Sequence, residues 1–309
     1  MVYHETIQGH SKKTIDEYFL DLRVFFRYIV ACRNNLELNT EIVNQQSIVS
    51  VDLPLIKSIT LTDIYGYMSY LSRDRGLNNA SRARKVSTIR SFFKYLTVKA
   101  KILKENPVQD LDTPKIKKSL PRYLALEESI QLLNAVSGKH LVRDYCMLIL
   151  FLNCGLRVSE LVGLNLTDIR PDHLRVLGKG NKERIVYLNP ACHAALEDYL
   201  TIRNGVQTLE KNAVFLSQQR SRITVRTVEL LVKKHLLNAG LDAQKYSPHK
   251  LRHTAATLML QNGVDVRTLQ EILGHDNLNT TQIYTHVDNA NMRDAMQANP
   301  LAKIKPKKK

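Results

Sequence analysis

Apolar residues recur at helical spacing along most of this chain. Between residues 11 and 33 the apolar positions are Ile15, Phe19, Leu22, Phe26 and Ile29, so the spacing predicts one amphipathic helix with these side chains inward. Later segments of the same period predict helices over residues 62–72, 79–96, 127–136, 143–153, 190–202, 225–238 and 292–296.

Strand patterns are short and few. Residues 174–177 and 184–188 alternate apolar and polar positions around the turn sequence GKGNK, which predicts a β-hairpin, and residues 213–216 predict one more short strand. Residues 34–59 are polar with small apolar pieces and predict a long connection with little regular structure. The pattern therefore predicts a mainly α fold with a small β-sheet.

Charge identifies the kind of partner. The 309 residues include 45 Lys and Arg against 29 Asp and Glu, a formal net charge of +16, which favours a polyanion such as nucleic acid. The length suits two domains. We predict a helical DNA-binding domain over 1–112, a basic linker over 113–121, a second domain over 122–298 and a basic tail over 299–309.

Composition also bears on location and cofactors. The longest apolar run, Cys146 to Leu152, is far shorter than the ~20 residues that a membrane span needs. The polar N-terminus has no signal-peptide core, and the four cysteines lack C-x-x-C spacing. We expect a cytoplasmic, nucleoid-associated protein with reduced thiols and no membrane partner. The sequence indicates no metal cluster and no nucleotide loop of the G-x-x-x-x-G-K-[ST] type, so we expect no metal and no cofactor.

Two basic segments are candidates for contact with DNA phosphates. No acid occurs from Ala80 to Ala100, which favours a DNA-facing helix over the alternative of a merely solvated surface. The helix cations are Arg82, Arg84, Lys85, Arg90 and Lys94. The linker cations are Lys115, Lys117 and Lys118, which suit either a strap along phosphates or an exposed tether.

The richest chemistry lies between residues 246 and 286. Ser247 and Asp265 are suited to cap two helices that end at Gly263 and Gly274. His249 and Arg252 are three residues apart and share a face of the first helix, and His253 is interpreted as structural. His275 follows the second helix, and Tyr284 comes nine residues later. A phenol near arginines and histidines suits covalent attack on a phosphate, whose oxygens match guanidinium forks.

Two upstream residues complete this set. Arg157 follows the apolar segment 143–153 and Gly155, so a buried helix is expected to present it, with Glu160 orienting it from one turn further on. Lys179 lies in the GKGNK turn, where an ammonium can protonate a leaving alkoxide.

The ordered motifs GLRVSEL, GKGNKER, HKLRH, LGH and TTQIYTHV resemble those of the tyrosine recombinases of the phage-integrase family, most of all the Xer recombinases. The resemblance implies a SAM-like core-binding domain, a catalytic domain, and strand cleavage through a 3′-phosphotyrosyl link. Its catalytic set corresponds here to Arg157, Lys179, His249, Arg252, His275 and the nucleophile Tyr284. It also implies double-stranded DNA with an inverted-repeat core site, and a homo- or hetero-tetramer on two sites that is joined by the C-terminal segment.

Several alternatives remain open at this point. The 34–59 connection looks longer than is usual in Xer proteins, which keeps a mobile-element integrase or transposase under consideration against chromosome dimer resolution. A non-catalytic DNA-binding protein on the same scaffold, a hydrolytic nuclease and a type IB topoisomerase are further alternatives. The target DNA sequence does not follow from these residues.

Overall fold

The computed structural model describes residues 6, 7, 9, 12–115, 122–178, 183–274 and 289–304. The chain forms two compact units, Met1–Ser119 and Leu120–Lys309. Five of the predicted site residues lie outside the described residues: Lys117, Lys118, Lys179, His275 and Tyr284.

The N-terminal unit is helical. Its helices are α1 (Lys12–Arg33), α2 (Thr40–Gln45), α3 (Leu53–Lys57), α4 (Leu61–Arg73) and α5 (Asn79–Lys94), followed by a π-helical turn at Tyr95–Lys99. Aromatic rings from three helices meet in its core. The Phe25 ring lies 5.2 Å from that of Tyr67 and 6.5 Å from that of Phe93, both edge-on, an arrangement that aromatic pairs prefer.

The buried face of α1 differs in part from the prediction. Phe26 and Ile29 are buried as expected, together with Phe25 and Tyr28, whereas Phe19 is about half exposed. The expectation that Phe19 points inward is therefore wrong. The first buried side chain of α1 is that of Asp21, so helical spacing alone did not show where burial begins.

The segment 34–59 contains regular structure that we did not expect. Two short helices, α2 and α3, begin where Asn39 and Asp52 accept hydrogen bonds from the backbone N–H groups of Ile42 and Leu55. Val43 of α2 is fully buried in the core of the unit. Helices of five or six residues are too short to show a periodic pattern, which is why the sequence did not reveal them.

The C-terminal unit contains the hairpin. Its helices are α6 (Leu126–Asn134), α7 (Leu141–Cys154), α8 (Val158–Gly163), α9 (Pro190–Asn204), α10 (Val225–Asn238), α11 (Pro248–Gln261), α12 (Val266–Leu273) and α13 (Asn289–Gln297). Its strands are β1 (His173–Leu177) and β2 (Glu183–Tyr187), which pair antiparallel with Arg175 opposite Ile185. Residues 213–216 form isolated bridges and no strand, so that prediction is wrong.

Helix α7 is the centre of the C-terminal unit. Every side chain from Asp144 to Cys154 is buried, as its unbroken apolar pattern predicted. Gly155 ends the helix with a left-handed backbone, φ 57°. A Cβ at this position would also lie 2.7 Å from the Leu273 side chain, so only glycine fits where the two segments meet.

The end of the chain packs into this same unit. Ala295, Met296, Leu301 and Ala302 are buried in its core. The side-chain amide of Asn299 donates to the carbonyl of Leu152 at 3.0 Å. The core thus extends past the domain end predicted at residue 298. None of the helices in the described ranges combines the length and apolar character that crossing a membrane requires.

Candidate active site

Arg157 is fixed in place by both its backbone and its side chain. It lies at the N-terminus of α8, where its backbone N–H donates to Glu160 Oε2 at 2.7 Å. Its Nη1 donates to Glu160 Oε1 at 2.7 Å, and its Nη2 donates to the carbonyl of Gly274 at 2.8 Å. Glu160 therefore contacts Arg157 as the predicted orienting role requires, and that role stays a prediction. About a third of the Arg157 side chain stays exposed, so the guanidinium can still meet a ligand.

Arg252 is held beside Arg157 from a different element. It projects from α11 and is only 4% exposed. Its Nη1 donates to the carbonyl of Gly155 at 2.5 Å, and its Nη2 donates to the carbonyl of Leu273. Arg252 thereby ties the end of α7 to the end of α12. The same Nη1 lies 3.8 Å from Glu160 Oε2, so one carboxylate lies against both predicted catalytic arginines.

A third guanidinium, which the sequence analysis did not single out, joins this cluster. Arg184 of β2 donates from Nη2 to Glu160 Oε2 at 2.9 Å. Its side chain also packs on Gly274, where an added Cβ would lie 2.8 Å from Arg184 Cδ. The motif GKGNKER contained the signal, but nothing in its spacing links Arg184 to a glutamate 24 residues earlier.

Positive charge exceeds negative charge in this group. Three guanidinium groups surround one carboxylate, and Glu160 is 3% exposed. Burial, followed by the charges of Arg157 and Arg184, lowers the pKa of Arg252 to about 10, although Glu160 opposes that shift. Burial and Arg157 also lower the pKa of Arg184. Buried, mutually repelling cations of this kind are typical of anion-binding sites.

His249 lies one turn before Arg252 on α11. Desolvation, followed by the charges of Arg252, Lys250 and Arg157, lowers the pKa of its imidazole. The ring is therefore neutral at pH 7 and able to accept a proton. Its Nε2 lies 3.1 Å from Nε2 of His253, with the two rings edge-to-face. His253 therefore contacts a predicted catalytic residue, and its interpretation as structural stays a prediction.

Two of the α5 cations that we predicted to contact DNA pair with an acid of the N-terminal unit. Lys85 is 8% exposed, and its ammonium donates to Asp21 Oδ1 at 2.6 Å, so it does not face solvent as a DNA-contacting residue would. Arg84 is about half exposed and shares Asp21 at 2.6 and 2.9 Å. No acid occurs near them in the sequence, from Ala80 to Ala100, but Asp21 of α1 lies against them in the folded unit.

The other side chains that we predicted to contact DNA differ in their hydrogen bonding and exposure. Arg90 donates to Thr113 at 2.6 Å and to the carbonyl of Leu111, and Arg82 donates to Asn79 at 2.7 Å. Lys94 and Lys115 are exposed. A DNA contact by any of these four residues stays a prediction. Across the described ranges of the chain, no three His, Cys, Asp or Glu side chains are placed to hold a metal ion.

Comparison with known proteins identifies the family. The model described as "Phage integrase family" matches residues 122–291, and that described as "Phage integrase, N-terminal SAM-like domain" matches residues 42–100. The chain belongs to the phage integrase family. The protein is a tyrosine-type recombinase, and its activity is Xer-like site-specific recombination.

Individual relatives agree with this assignment. The chain is 50% identical to tyrosine recombinase XerC of Caldanaerobacter subterraneus subsp. tengcongensis over 97% of its own length and 85% of that protein. It is 38% identical to tyrosine recombinase XerD of Proteus mirabilis, over 91% and 84% of the two chains. Among solved structures, XerH bound to difH substrate in a pre-cleavage complex matches with a TM-score of 0.59 at 27% identity, covering 78% of this chain and 71% of that one. The predicted fold class, with its SAM-like and catalytic domains, is confirmed.

Proposed function

We propose that the arginines around Glu160 bind the scissile DNA phosphate while Tyr284 attacks it. The attack joins the phenolic oxygen to phosphorus and breaks the bond to the 5′ oxygen, which gives a 3′-phosphotyrosyl link and a free 5′-hydroxyl. Arg157 and Arg252 neutralise the non-bridging oxygens as negative charge builds. The single observation that carries this proposal is that both guanidinium groups are fixed beside one buried carboxylate, Arg157 by a hydrogen bond to Glu160 and Arg252 within 3.8 Å of it.

The proton transfers are assigned from the acid–base properties of His249 and Lys179. His249 accepts the proton of Tyr284, which suits an imidazole whose pKa is lowered. Lys179 protonates the leaving 5′ oxygen, and His275 adds a hydrogen bond to the phosphate. The phosphotyrosyl link conserves the energy of the broken bond, so the 5′-hydroxyl of a second strand can reverse the attack, and the scheme uses neither a metal nor a cofactor.

The relatives support a proposal for the substrate. The XerH structure contains a difH substrate, and high similarity to XerC and XerD extends over nearly the whole chain. We propose a short duplex site with two inverted arms and a role in resolving chromosome dimers. A footprint of the protein on DNA taken from around its own gene tests the site. Protection of mobile-element ends in place of a chromosomal inverted repeat would contradict this role.

Assembly is proposed as two protomers on each site and four in each synapse, joined through the C-terminal segment. That segment packs on its own chain in the present structure, with Met296 and Leu301 buried, so docking on a neighbour requires it to leave this core. Native mass spectrometry with one and two sites should give two and four protomers. One protomer per site would contradict the proposal.

A nicked suicide substrate tests the chemistry. The wild-type protein should form a covalent adduct that survives denaturing gels and forms in the presence of a chelator, whereas Tyr284→Phe should bind DNA and form none. Lys179→Ala should recover cleavage on a substrate whose 5′ bridging oxygen is replaced by sulfur, because a thiolate leaves without protonation. Adduct formation by Tyr284→Phe would place the nucleophile elsewhere.

A further inference from the structure

Arg184 occupies a position that the proposed chemistry does not use. Its guanidinium is buried: Nε and Nη1 have no hydrogen-bond partner among the described residues, and only Nη2 is bonded, to Glu160. A buried guanidinium with two unpartnered nitrogens has lost its hydrogen bonds to water without replacing them, which destabilises the fold. Its retention beside the two phosphate-binding arginines therefore requires a reason other than stability.

The charges of the site provide one. In the attack, the phosphodiester passes from one negative charge to two. Arg157 and Arg252 supply two positive charges, but the carboxylate that aims them, Glu160, offsets one of them. Arg184 contacts Glu160 and supplies the positive charge that the carboxylate offsets. Three guanidinium groups and one carboxylate have a net charge of +2, which matches the two negative charges of the transition state.

Geometry gives Arg184 a second effect on the same carboxylate. Glu160 Oε2 accepts from Arg184 Nη2 at 2.9 Å and from the backbone of Arg157 at 2.7 Å, while Arg252 Nη1 lies further away, at 3.8 Å. Without Arg184, Oε2 would keep only the backbone N–H of Arg157 as a donor, and the next cation within reach is Arg252, at 3.8 Å. Glu160 would then pair with Arg252 and reduce the charge available to the phosphate.

We propose that Arg184 is a positioning residue for strand cleavage, which acts as the counter-charge of Glu160 so that Arg157 and Arg252 keep their full charge for the phosphate. This inference rests on the proposed function. Arg184 does not touch the DNA in this scheme, and its effect is confined to the charge that builds during the reaction.

The test compares two substrates in single-turnover cleavage. With a natural scissile phosphate, Arg184→Gln should cleave about 10- to 100-fold more slowly than the wild type, less than the ~10²–10³ typical of a lost direct donor. With a methylphosphonate at that position, a methyl group replaces one charged oxygen and the transition state carries one negative charge fewer. The defect should then shrink to about three-fold or less, because the missing counter-charge is no longer needed.

Two variants separate charge from folding. Arg184→Lys keeps the charge and should cleave the natural site within about ten-fold of the wild type, even if Arg184→Gln unfolds. Arg175→Gln removes a more exposed arginine from the same hairpin and should leave both rates unchanged. Wild-type adduct formation tests the proposed function separately.

Two outcomes would overturn the inference. One is an equal defect of Arg184→Gln on both substrates with DNA binding intact. The other is an Arg184→Lys protein that folds but is as slow as Arg184→Gln.

Discussion

Two buried acids, Asp21 in the N-terminal unit and Glu160 in the C-terminal unit, each lie against several cations, and they act differently. In the N-terminal unit, Asp21 of α1 accepts hydrogen bonds from Arg84, Lys85 and Thr88, all of α5. In the C-terminal unit, Glu160 lies against arginines from the start of α8, from β2 and from α11. Asp21 joins two helices, whereas Glu160 brings together cations that are distant in the chain.

The two clusters differ in how much of their positive charge is neutralised by the acid at their centre. Around Asp21 the closest ammonium, that of Lys85, is buried and paired, so much of the positive charge is used inside the unit. Around Glu160 the cations outnumber the acid by two, and Arg157 remains partly exposed. Two of the cations that are adjacent in sequence, Arg84 and Lys85, therefore pair within their own unit, whereas cations from separate elements gather around Glu160.

The largest effect is expected from removing the acid of the N-terminal unit. Asp21→Ala leaves Lys85 buried without its partner, and breaking a buried pair costs about 3–5 kcal/mol in the free energy of unfolding. Denaturant unfolding of the full chain measures the loss, and hydrogen exchange should assign it to α1 and α5. Glu17→Ala, which removes an exposed partner of Arg84, should cost less than about 1 kcal/mol. Equal losses would mean that burial of Asp21 does not matter.

Removing an arginine from the other cluster should affect catalysis more than binding. Arg252→Ala should slow formation of the covalent adduct by about 10²–10³, because a fixed donor to the developing charge is lost. Arg226→Ala removes a highly exposed arginine of the same unit and should leave the rate unchanged. A rate within a few-fold of the wild type for Arg252→Ala would show that the Glu160 cluster is not the phosphate site.

A smaller effect is expected on the salt dependence of DNA binding, which should distinguish the exposed Lys94 of α5 from the paired Lys85. If Lys94 contacts a phosphate, Lys94→Ala should reduce the slope of log affinity against log salt concentration by about one, whereas Lys85→Met should leave the slope unchanged. Titrations of one DNA site at several salt concentrations measure both. A reduced slope for Lys85→Met with an unchanged fold would show that Lys85 leaves Asp21 to contact DNA.

The smallest effect concerns pH. Because the pKa of His249 is lowered, the ring stays neutral as pH falls through its ordinary value near 6.5, and cleavage should be lost only below that. Single-turnover rates between pH 5 and 8 measure this limb, and His249→Gln should lower the rate and remove the limb. A midpoint above 6.5 would mean that the proton acceptor is another group.

Several features could be predicted from the sequence because they are local. Ser247 and Asp265 cap α11 and α12 as expected, and Glu160 is one turn from the arginine that it orients. Features that depend on contacts through space could not be predicted. Arg184 meets Glu160, and Asp21 meets Lys85, only because separate elements pack together. The helices of 34–59 were missed because five or six residues are too few to show a periodic pattern.

The central claim is that Tyr284 becomes joined to DNA at the phosphate held by the Glu160 cluster. Digestion of the adduct from a suicide substrate, followed by mass spectrometry, tests it most directly. The account predicts that the phosphate is attached to the peptide containing Tyr284, and that Arg157→Ala and Arg252→Ala reduce this species without moving it. Attachment at any other residue, or cleavage without an adduct, would contradict the account.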